Sequence, residues 1–96
     1  MPLVRNVEKR IWNVEHFEVV IKYADGRIMR GDKGEIRMYP FDKAAKNSRT
    51  VSVWKERRFK PNYPGMDVDV LDAAGHPLTG HTLLCDVRDS YSDDEE

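Results

Sequence analysis

Hydrophobic and polar residues alternate most clearly in two stretches of the chain. In residues 17–23, Phe17, Val19, Ile21 and Tyr23 fall on one face, and Glu18, Val20 and Lys22 on the other. A period of two carried by β-branched and aromatic residues predicts a strand. Ala24-Asp25-Gly26 follows, and glycine adopts positive φ without steric cost, so Arg27–Arg30 is expected to return as the second arm of a hairpin. Both a two-residue and a three-residue loop fit; the longer one sets Ile21 opposite Met29, which suits a buried face.

The second stretch is Met66, Val68 and Val70, alternating with Asp67 and Asp69. After the turn-rich residues 73–80, His81–Arg88 alternates again. Pairing residue 72 with 81 sets Val70 opposite Leu83, Val68 opposite Cys85 and Met66 opposite Val87. Those apolar pairs share one face, and a slip of one residue would break all of them.

The intervening chain reads as turns and short strands. Gly31–Gly34 is a turn, and Ile36–Tyr39 a short strand closed by Pro40. Asp42 suits the N-cap of a short helical turn over Lys43–Lys46, with Asn47 ending it. Arg49–Phe59 is expected as a strand with a bulge near Trp54. Pro61–Gly65 cannot continue a ladder and is a loop. Together these predict a mainly β fold: an SH3-like barrel or bent antiparallel sheet of about five or six strands with one short helical turn. An open α+β roll is the alternative.

Length and composition add limits. The 96 residues, 40% apolar and 34% charged, fit one folded domain with a modest core, expected over residues 1–88. Residues 89–96, Asp-Ser-Tyr-Ser-Asp-Asp-Glu-Glu, are expected as a mobile acidic tail. Cys85 is the one cysteine, so no internal disulfide forms. No apolar run suits a signal peptide or reaches the roughly 20 residues of a membrane helix, and a cytoplasmic protein with no membrane contact is expected.

The net charge of −1 conceals an asymmetry. Residues 1–60 hold 15 Lys and Arg against 8 Asp and Glu, whereas residues 61–96 hold 1 Arg against 9 acids. Either the two parts pair within the domain, or a basic face meets an acidic partner.

The richest chemistry lies in Trp54, Lys55, Arg57, Arg58, Lys60 and Tyr63, the candidate binding residues. Nucleic-acid surfaces need cations for phosphates and flat rings for bases, and this segment holds both. On a strand only half of it faces one ligand. The alternative places Trp54 or Phe59 in the core, with the cations beside Asp67, Asp69 and Asp86.

Other groups carry less. The hairpin register above sets Asp67 opposite Asp86, a repulsion relieved by a cation or by a neighbouring Arg. His81 and Cys85 lie about 13 Å apart along a strand, too far to share a metal. His16 is isolated, and His76 sits in a turn. Cys85 is expected to act as a small core hydrophobe. No cofactor, metal or catalytic constellation is expected. Ser90 and Ser92 precede acids in a setting some kinases accept, and the acidic tail has the charge to compete with polyanions for the basic segment.

Two functions follow as expectations. One is a small non-catalytic binding module for an unidentified protein, with Trp12, Trp54, Tyr39 and Tyr63 as exposed anchors. Pairing of an edge strand into a homodimer accompanies it. The other is a nucleic-acid binder using residues 54–63.

Overall fold

A computed structural model describes residues 3–34 and 36–91. In chain order the elements are α1 (Val4–Glu15), β1 (Glu18–Tyr23), α2 (Val51–Trp54) running into a π-helical turn (Lys55–Phe59), β2 (Met66–Leu71) and α3 (Leu84–Ser90). β1 and β2 form a two-stranded antiparallel sheet. The fold is therefore α+β, and the expected barrel of five or six strands is overturned.

α1 follows from an apolar stripe. Val4, Val7, Ile11 and Val14 recur at helical spacing, and all are buried. The helix stops at His16, whose left-handed φ of 66° lets its N–H donate to the Trp12 carbonyl at 2.9 Å. Histidine tolerates that conformation better than most residues.

Both predicted strands form, but they pair with each other. Val19 lies opposite Val70, Ile21 opposite Val68 and Tyr23 opposite Met66. The inward face of β2 is thus the one its alternation predicts, with β1 in the place expected for residues 81–88. Each strand then turns back through a loop of the same kind. The Tyr23 N–H donates to the Arg27 carbonyl, and the Met29 N–H to that of Ile21, around Gly26 at φ 95°. This is the three-residue loop with Ile21 facing Met29. The Asp72 N–H likewise donates to His76, and Leu78 to Val70, around Gly75 at φ 85°. The return arm of β2 is therefore residues 76–78, which frees the following segment to be a helix.

Residues 81–88 also carry a helical period. Leu84 and Val87 are fully buried and Tyr91 packs against the core, whereas Leu83 is exposed. Asp86 in the first turn suits the positive end of the helix. The expected strand over 49–59 fails for a similar reason. Thr50 caps α2, its hydroxyl accepting from the Val53 N–H at 3.2 Å. Val51, Trp54 and Phe59 then face inward. Trp54 and Phe59 are five residues apart, and the wider π turn, with Lys60 N–H donating to Lys55 at 2.8 Å, brings both to the core.

Two further expectations fail: residues 36–39 form no strand, and residues 43–46 no helical turn. Ile36 and Tyr39 are nonetheless buried, pinning this irregular segment to the core. The segments before α2 and α3 run side by side, with Val51 N–H donating to Thr82 and Leu84 N–H to Arg49, both at 2.8 Å. α3 extends to Ser90, and the Tyr91 ring meets Trp12 edge-on at 5.1 Å. The rest of the expected tail, residues 92–96, lies outside the described residues. Among those described, no helix is long and apolar enough to cross a membrane.

Candidate functional site

Two clusters of charge lie back to back around α2 and its π turn. The inner one centres on Glu15, at the end of the apolar stripe of α1 and fully buried. Its Oε1 accepts from the Ala45 N–H at 2.8 Å and from Arg88 Nη2 at 3.1 Å. Its Oε2 accepts from the Tyr39 hydroxyl at 2.5 Å and from Arg58 Nη1 at 2.8 Å. Trp54 Nε1 donates to the same Tyr39 oxygen at 3.1 Å. Burial, reinforced by the Glu15 carboxylate, pushes the Tyr39 hydroxyl pKa well above its ordinary value, so Tyr39 is a fixed donor at physiological pH.

A carboxylate offers about four acceptor positions, and here all are filled. Glu15 has no lone pair left to take a proton from a substrate or to bind a metal. The cluster is a clamp. It joins α1 to the 39–45 segment, the π turn and α3, and a buried charge compensated this fully holds its partners in one geometry.

The outer cluster lines a groove of about 340 Å³. Residues 43–49 supply Lys43, Lys46 and Arg49; the π turn supplies Arg57 and Arg58. The apolar lining comes from Ala44, Ala45, Val53 and Trp54. Among the described residues, no acidic side chain lines it. Arg58 belongs to both clusters: its guanidinium binds Glu15 and donates to the Lys43 carbonyl at 2.6 Å, which draws the two walls together. Lys43, Lys46, Arg49 and Arg57 are all exposed.

The candidate residues from the sequence therefore divide. Arg57 and Arg58 reach the groove, joined by Lys43, Lys46 and Arg49 from a segment not singled out before. Lys55 is half-buried outside it, and Lys60 lies 3.8 Å from Glu56. Trp54 and Tyr63 are each 1% exposed and belong to the core, as does Tyr39. Of the four expected anchors only Trp12 is not buried; it is half-buried and leans on Tyr91.

The acids do not border the basic groove. Asp69 pairs with Lys22 at 3.0 Å, and Asp67 lies opposite Lys22 in the sheet rather than opposite Asp86. Asp86 and Cys85 belong to α3, so His81 and Cys85 do not share a strand.

Glu15 was missed because the N-terminal stretch was not read as a helix. The signal was a lone acid on the apolar stripe, four residues after Ile11. The groove was missed because residues 43–49 meet the π turn only in three dimensions. Comparison of this chain with protein families, with curated proteins and with solved structures found no match.

Proposed function

We propose that this domain binds nucleic acid, with the groove between residues 43–49 and the π turn as its phosphate-binding surface. The supporting observation is a lining that gathers five cations from two separate segments and, among the described residues, no acid. Like charges brought together repel, and in a stable fold such a cluster favours a polyanion that neutralises it. Glu15 takes up the charge of Arg58 from below, leaving Lys43, Lys46, Arg49 and Arg57 for phosphates. Arg adds a planar fork that meets phosphate oxygens in pairs. The expected aromatic anchors of a protein-binding surface, Tyr39, Trp54 and Tyr63, are committed to the core.

The test is a titration of a fluorescent DNA duplex of about 20 base pairs at salt between about 50 and 200 mM. Four phosphate contacts predict a log–log slope no steeper than about −4 and roughly a 100-fold loss of affinity across that range. The variant K46A/R49A/R57A is expected to reduce the slope to about −1. Absence of binding at the lowest salt, or a slope indifferent to these substitutions, contradicts the proposal.

A further inference from the structure

We infer that the groove, if the nucleic-acid reading above holds, takes one sugar–phosphate ridge of a duplex and prefers duplex to single strand of the same sequence. Proteins that hold single strands combine cations with rings on which bases stack, and each stacked base contributes about 1–3 kcal/mol. The rings around this groove are already engaged. Trp54 is almost fully buried, and its indole N–H is held by Tyr39. Phe59 and Tyr63 stack on each other in the core at 4.7 Å. Phe41, the ring closest to the surface here, carries the Arg58 guanidinium at 4.3 Å and leans on Tyr39 at 5.2 Å.

With stacking unavailable, charge density decides. A duplex presents one phosphate per about 1.7 Å of axis, denser than a flexible single strand, and its backbone is already ordered. A single strand must in addition lose conformational freedom to lie between two walls, with no stacking to offset that cost. The lining cations come from two segments, Lys43, Lys46 and Arg49 from one and Arg57 from the other, so a ridge of backbone would be met from both. Such contacts position without reading sequence, because base edges supply the sequence information and the groove engages phosphate.

The experiment compares one labelled duplex, each of its separated strands, and a second duplex of scrambled sequence, all with the wild-type chain at one salt concentration. The duplex is expected to bind at least about tenfold more tightly than either strand, because density replaces stacking. The scrambled duplex is expected to bind within about twofold of the first. Single strands binding as tightly as duplex, or a strong preference between the two duplexes, would overturn this inference while leaving the nucleic-acid reading in place. Failure of every probe to bind would instead remove the reading on which it rests.

Discussion

Arg58 and Arg88 turn inward onto one buried carboxylate, while Lys43, Lys46, Arg49 and Arg57 turn outward around a groove with no acid in its lining among the described residues. Arg57 and Arg58 are adjacent in sequence, yet they do opposite work. The inward cations share the Glu15 carboxylate, and their charge is spent on architecture. Outward cations have no acidic partner among the described residues, so their charge is available to a ligand. The lesson is that the number of basic residues in a segment says little until each one's partner is known. Arg58 shows this most sharply, since it touches the groove and still belongs to the clamp.

Substitutions separate the two sets. The largest effect is expected at Glu15→Ala. Removing one member of a buried, matched charge cluster leaves the others uncompensated, at about 3–5 kcal/mol. A domain of this size has only about 5–15 kcal/mol to lose. Urea unfolding is expected to show a much lower midpoint or a chain already unfolded in buffer; a midpoint near wild type would show that Glu15 is not the clamp.

The next effect contrasts two buried tyrosines. Tyr39→Phe removes a hydroxyl that bridges Glu15 and Trp54, and is expected to cost about 1–3 kcal/mol. Tyr63→Phe removes a buried hydroxyl without a hydrogen-bond partner among the described residues. It is expected to be neutral or to stabilise by about 1 kcal/mol. Thermal unfolding of the pair distinguishes them, and equal losses would remove the contrast.

The smallest effect lies in the twin loops. Asp25 Oδ1 accepts from the Arg27 N–H at 3.0 Å, and Asp72 Oδ1 from the His76 and Ala74 N–H groups at 3.0 and 2.9 Å. These backbone donors hold both carboxyls below the ordinary Asp value of 3.8. A depressed folded-state pKa gives stability that is present above 3.8 and lost as pH falls through the lower, folded value. Protection of the His76 amide from hydrogen exchange, relative to its intrinsic rate at each pH, is expected to fall over that acid range in the wild type, and to be low throughout in Asp72→Ala.

Much of the sheet was legible in the chain. Period-two alternation marks the inward faces of β1 and β2, and Gly26 and Gly75 mark the loops, because these features are local. Partnering was not legible. The apolar face of β2 fits β1 and residues 81–88 equally well, and only the return arm at 76–78 decides between them. Residues 49–59 and 81–88 are short and carry apolar residues at spacings that suit both strand and helix, an ambiguity that periodicity does not resolve. The capping hydroxyl of Thr50 was the local sign that favoured helix. Of the site, Arg57 and Arg58 were visible as a basic run, but the opposite wall comes from residues 43–49 by tertiary folding.

The most direct test measures affinity and stability together on one variant, R49A/R57A, which touches only outward cations. The account predicts duplex affinity lowered by at least about tenfold, with the urea midpoint within about 0.5 kcal/mol of wild type, as surface substitutions allow. Unchanged affinity, or a loss of binding that merely follows a loss of folding, would contradict it.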